Sequence, residues 1–137
     1  MPSEHATRST LLRMFQMFDD GTADSYGSDD FLLLVADRCD WREDSTDPRF
    51  AGRQGNKVAL RDGFEQSART LRDRHAQIHE MDVTHDRALV RWTWSARTAA
   101  EGRRMRADVV SEFLVNGGLI VRWHDRIAVE ENESPKA

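Results

Sequence analysis

Apolar residues recur at helical spacing in the first half of the chain and at every other position in the second, so helices are predicted ahead of strands. Over 10–19, "TLLRMFQMFD" places Leu11, Phe15 and Phe18 on one helical stripe, with Ser9 or Thr10 as cap. Residues 21–30 read as a loop. Ser28 then caps a second helix carrying "FLLLVADR", with Asp29 and Asp30 in its first turn. "CDWRE" (39–43) alternates and predicts a short strand with Cys39, Trp41 and Glu43 on one face. The Pro, Gly and Ser of 44–56 predict a loop. Asn56 caps a third helix over 57–73, with Leu60, Phe64, Ala68 and Leu71 as its stripe.

Strands fill the remainder: 76–83, 88–97, 104–115 and 119–127, joined by turns at "THDR", "TAAEG" and "NGG". In the last strand, "LIVRWHDRI", Leu119, Val121, Trp123, Asp125 and Ile127 share one parity. An aspartate thus shares a face with a tryptophan and an isoleucine. The other parity carries Arg across the strands, with Leu89, Val110, Leu114 and Ile120 among them. That face predicts a homodimer surface. Helices segregated from a strand meander give an α+β fold, with three N-terminal helices covering the apolar face of an antiparallel sheet.

Composition narrows the class. The 137 residues suffice for one domain, read as 1–128 followed by a polar tail, 129–137, that is expected to fray. A net charge of −4 lacks the basic excess of a nucleic-acid or anionic-membrane binder. The one dense basic cluster, "EGRRMR" (101–106), reads as the polar face of a strand. A single cysteine, Cys39, permits no internal disulfide and fits a reducing compartment. The longest apolar run, "FLLLVA", falls far short of the ~20 residues that span a bilayer. A cytoplasmic location is expected.

Three segments carry a family likeness: "GNKVALRDGFEQ" (55–66), "RALVRWTWSART" (87–98) and "FLVNGGLIVRWHD" (113–125). With the element order, they resemble the nuclear transport factor 2-like (NTF2-like) superfamily, nearest its SnoaL-like polyketide cyclases and limonene epoxide hydrolases. The likeness spans roughly 9–128. It implies a cone-shaped curved sheet closed by the helices around a pocket for a small, mostly apolar molecule. It does not name the reaction, because this fold hosts enzymes, binders and dimerisation domains.

Asp125 is the leading catalytic candidate. A carboxyl on the apolar face has its proton affinity raised, which suits acid/base work near neutral pH. In the resembled epoxide hydrolases an Asp at this position activates water. Glu43 is the second candidate, near where those enzymes hold a water-binding Asn and where ketosteroid isomerases of similar fold place a catalytic carboxylate. Two carboxyls on one wall push their pKa values apart. His75 falls near the catalytic His of some dehydratases of similar fold and is kept as a third acid/base candidate. Trp41, Trp92, Trp94 and Trp123 share the inward parity and are candidate walls for an aromatic or polycyclic ligand, or else core filler. Ser111, near the position of the isomerases' oxyanion-hole Asp, joins the substrate-binding set.

The chain also departs from the family. Where the epoxide hydrolases carry an Arg-x-Asp pair, it reads Trp94 and Ala96, so their full mechanism is not carried over. His75 and His79 would lie ~13 Å apart in a strand, too far to share one metal ion, or one turn apart and able to share one if the third helix ran on through 79, with no third ligand at a telling spacing. No metal or cofactor is expected. The leading expectation is a cofactor-independent acid/base enzyme of isomerase, cyclase, dehydratase or hydrolase type. The alternatives are a non-catalytic small-molecule binder and a structural dimerisation module.

Overall fold

The computed structural model describes residues 4–19, 32–48 and 50–131. In chain order these form α1 (Glu4–Asp19), β1 (Val35–Ser45), β2 (Gln54–Gly55), α2 (Lys57–Thr70), β3 (Leu71–Thr84), β4 (Arg87–Thr98), β5 (Arg104–Asn116) and β6 (Leu119–Glu131). One six-stranded sheet runs β2-β1-β6-β5-β4-β3. All neighbours are antiparallel except β1 and β6, which pair in parallel. Both helices pack on one face: Leu11, Met14, Phe15 and Phe18 of α1 and Leu60 and Phe64 of α2 are buried against it.

The α+β class holds, and three expectations are corrected. Two of the three expected helices are described; of the second, the described residues show only Leu32 in helical conformation. The part of the expected second helix at 28–31 lies outside the described residues, and Val35–Arg38 belongs to β1. A short apolar run does not by itself distinguish helix from strand. Here pairing decides it: Val35 is registered against Ile120, and the Ile120 N–H donates to the Leu34 carbonyl at 2.7 Å. The sheet is mixed rather than purely antiparallel, because β1 enters beside the last strand. Finally, α2 stops at Thr70, and β3 takes residues 71–75, which were expected as helix end and linker. Asn56 does cap α2, its side chain accepting from the Val58 N–H at 3.0 Å.

The last strand alternates in two phases. The β5–β6 register shifts between the Leu114↔Arg122 and Val115↔Ile120 pairs, so β6 carries one extra residue. A bulge of this kind moves everything before it to the opposite face. Ile120 is therefore fully buried and Leu119 is 38% exposed, the reverse of simple alternation. Beyond the bulge Trp123, Asp125 and Ile127 point inward as expected. The "NGG" turn before it holds Gly117 and Gly118 at φ 60° and 79°, left-handed values that favour glycine. β6 continues to Glu131, into the sequence-defined tail. No helix among the described residues is long and apolar enough to cross a membrane.

The bulge makes a prediction. Ile120→Ala should cost about 2–5 kcal/mol of stability in urea unfolding. Leu119→Ala should stay within about 0.5 kcal/mol. A larger loss at Leu119 than at Ile120 would contradict the register described above.

Candidate functional site

The inward face brings two carboxyls together on one rung. Parallel pairing sets Glu43 of β1 directly beside Asp125 of β6, and antiparallel pairing sets Ser111 of β5 on the other side of Asp125. All three are buried: Glu43 is 6% exposed, Asp125 5% and Ser111 0%.

Hydrogen-bond chemistry fixes the proton order around Asp125. An indole N–H can only donate. The Trp92 Nε1–H donates to Ser111 Oγ at 2.8 Å, so the Ser111 hydroxyl spends its own proton on Asp125 Oδ1 at 2.5 Å. The Trp123 Nε1–H donates to the same oxygen at 2.7 Å. Both donors meet Oδ1, which leaves Oδ2 as the oxygen open to carry a proton. Burial, reinforced by the neighbouring Glu43 charge, pushes the Asp125 pKa up to about 8, against the opposing pull of the Ser111 and Trp123 hydrogen bonds and of Arg53. That shift favours the neutral acid near pH 7.

Glu43 has a different partner. Arg53 Nε lies 2.5 Å from Glu43 Oε1, and both side chains are largely buried. Burial raises the Glu43 pKa, while the Arg53 hydrogen bond and charge pull it down. Arg53 was missed by the sequence reading. It sits in a segment with no apolar periodicity, and the arginines of this chain are common on outward faces. The Trp41 indole N–H, on the same strand and face as Glu43, is buried without an acceptor among the described residues.

The remaining candidates separate. Trp41, Trp92 and Trp123 are buried among phenyl rings: Phe15 lies 4.9 Å from Trp92, while Phe64 and Phe113 lie 5.4 Å and 5.3 Å from Trp123. Trp94 is half-buried and meets Phe50 edge-on at 5.8 Å. His75 is not brought to the carboxyls. Its rung runs through Ser95 and Arg106 to Glu130, five residues along β6 from Asp125, or roughly 17 Å at strand rise. Its side chain is 63% exposed and lies 3.5 Å from Asp19. The bulge between Arg72 and His75 is the physical reason, since it takes the histidine out of the inward phase and leaves Arg74 buried instead. The Cys39 thiol is buried, and burial pushes its pKa up to about 12.

A depression of about 740 Å³ lies on the outer face, walled by Arg42, Arg91, Glu112, His124 and Arg126 and floored by the sheet at Glu43 and Asp125. Among the described residues no cluster of three or more His, Cys, Asp or Glu is placed to hold a metal ion.

Comparison with known proteins sets this geometry in a family. AclR from Streptomyces galilaeus superimposes with a TM-score of 0.72 at 14% identity, over 91% of this chain and 80% of that one. An NTF2-like protein from Burkholderia xenovorans gives 0.67 at 15% identity, over 93% and 92%. An LEH-like epoxide hydrolase from M. tuberculosis gives 0.67 at 11% identity, over 90% and 83%. At these identities the likeness speaks for the fold alone. No curated protein sequence matches the chain. The SnoaL-like domain matches residues 11–123, nearly the whole of the helices and sheet described above, and the chain belongs to the SnoaL-like domain family.

Proposed function

We propose that this SnoaL-like protein is a cofactor-independent acid/base enzyme of the isomerase, cyclase, dehydratase or hydrolase type, acting on a small apolar or polycyclic molecule. Asp125 is its proton carrier. One observation carries the reading: a buried carboxyl takes both of its hydrogen bonds on Oδ1 and has its pKa raised to about 8. A general acid or base works best with a pKa near the working pH. In the proposed step the Oδ2 proton passes to a substrate oxygen or carbon. The carboxylate left behind is held by Ser111 and Trp123 and takes a proton back from the substrate or from water.

Glu43 acts on this step through its charge. Trp94, half-buried, offers ring surface to the substrate; Trp41, Trp92 and Trp123 back the site from the core, and the unspent Trp41 N–H offers one donor. His75 has no part in the reaction, given its position on the exposed side of β3.

A second reading has its own observation. The phenyl rings of α1, α2 and β5 pack on the same indoles, as they would in a binder or a dimerisation module whose interior is filled by its own side chains. In the enzyme reading the protein is also a homodimer through the outer sheet face, where Leu89 is 39% exposed and Val110, Leu114 and Val121 are half-buried. Ile120, counted on that face by simple alternation, is in the core.

Three outcomes are expected. On a panel of small enones, epoxides and fused-ring ketones, a substrate turned over by the wild type should lose about 10²-fold or more in kcat with Asp125→Asn. An unchanged circular-dichroism spectrum would show that the fold survives, and full activity in the variant would end the assignment of Asp125. Stability should also depend on pH with a definite sign. The folded carboxyl keeps its proton up to about pH 8, whereas the unfolded one loses it near the ordinary value of 3.8. Between those values the folded state binds more protons, so stability falls as pH rises. Urea midpoints should therefore drop for the wild type relative to Asp125→Asn between about pH 5 and pH 8, and a relative rise would contradict the raised pKa. Sedimentation equilibrium should show a dimer that Val110→Asp converts to monomer; a monomeric wild type would remove the dimer claim.

A further inference from the structure

Two neighbouring buried carboxyls cannot both ionise cheaply, so something must select which one keeps its proton. Arg53 is held beside one of them by the fold. Its backbone is stitched to Glu43 on both sides: the Glu43 N–H donates to the Arg53 carbonyl at 2.8 Å, and the Gly52 N–H donates to the Glu43 carbonyl at 3.1 Å. Its side chain is held from three directions. Nε donates to Glu43 Oε1, and Nη1 donates to the Gly63 carbonyl of α2 at 2.9 Å. The guanidinium carbon lies 5.4 Å from the Trp41 ring centre and 5.1 Å from that of Phe50. An arginine fits such a seat because its planar fork donates in fixed directions while its face stacks on rings.

Gly63 supplies an independent sign that the seat is shaped for this residue. A Cβ there would come within 2.8 Å of Trp41 Cη2 and 3.2 Å of Arg53 Nη1. Gly63 has no left-handed backbone to explain it, and in mid-helix it costs about 1 kcal/mol relative to Ala. Its service is to let Trp41 and Arg53 approach α2.

We infer that Arg53 is the positioning residue that decides the proton's address on this rung: by clamping Glu43 as its ionised partner, it leaves Asp125 as the carboxyl that holds and donates the proton. This rests on the reading of Asp125 as proton carrier. On the outer face, the depression floored at Glu43 and Asp125 carries Arg42, Arg91, Glu112, His124 and Arg126; on the covered face the charged and titratable groups beside the pair are few. From β1 there is Glu43 itself, with Cys39 further along; from β6, Asp125; from the segment before β2, Arg53. The described inward residues of α1, α2, β4 and β5 present no charge to it. The other buried cation, Arg74 of β3, belongs to the opposite end of the sheet.

The Trp123 indole N–H bonds Asp125 directly and so reports its ionisation. The test is a pH titration of the indole ¹⁵N–¹H resonances of the full-length, ligand-free protein. The Trp123 resonance should titrate near pH 8 in the wild type and lose that transition in Asp125→Asn. Arg53→Gln removes the cation that holds Glu43 ionised, so Glu43 competes for the proton, and the Trp123 transition should split between two steps or leave its wild-type midpoint by about one unit or more, while Arg53→Lys, which keeps the charge, should disturb it less. Gly63→Ala keeps every charge but crowds Arg53 from its seat, and should disturb the transition the same way if Arg53→Gln does not fold. A wild-type midpoint in either folded variant overturns the role of Arg53. A titration that persists in Asp125→Asn overturns instead the reading of Asp125 beneath it.

Discussion

The interaction on which this molecule turns is the burial of one carboxyl, Asp125, in the middle of a sheet with a second carboxyl beside it. Each feature of the site can be read as a response to that cost. Burying an ionised carboxylate without a partner is prohibitive, so the group either neutralises or acquires a cation. The fold uses both solutions on one rung. Glu43 takes Arg53, and Asp125 takes two donors on one oxygen while its raised pKa favours keeping a proton. The two outcomes are coupled, because the charge on Glu43 is among the causes that keep Asp125 neutral.

That rung exists because of topology. β6 lies between β5 and β1, and the parallel β1–β6 pairing places positions 43 and 125 side by side on the covered face. The bulge near Val121 is part of the same construction. It lets Ile120 face the core at the start of β6 and still puts Trp123 and Asp125 inward two turns of the pleat later. The aromatic cluster of Phe15, Phe18, Phe64, Phe113, Trp92 and Trp123 makes the surroundings apolar enough for the carboxyl to hold its proton. Two of those indoles also supply polar atoms to the network: Trp123 bonds Asp125, and Trp92 bonds Ser111. Apolar burial and the hydrogen-bond network around Asp125 therefore share the same side chains.

Much of this was legible in the chain. Period-2 alternation placed Glu43, Ser111, Trp123 and Asp125 on the inward face, because each lies in a strand stretch free of bulges. Alternation failed at Leu119 and Ile120, where one extra residue inverts the phase; His75 came from the family likeness rather than from alternation, and a second bulge leaves it exposed. Propensity and caps misread "FLLLVADR", because the pairing that makes Val35 a strand residue comes from Ile120, 85 residues away in the chain. Arg53 was invisible for a related reason. A loop residue carries no periodicity, and its importance comes from Glu43, Gly63, Trp41 and Phe50, which only the fold brings together.

The most direct measurement is a neutron diffraction structure of the deuterated protein at neutral pD, which locates the protons on this rung atom by atom. The account predicts a deuteron on Asp125 Oδ2, the Ser111 and Trp123 deuterons both directed at Oδ1, and none on Glu43. A bare Asp125 carboxylate, or a deuteron on Glu43 in its place, would contradict it.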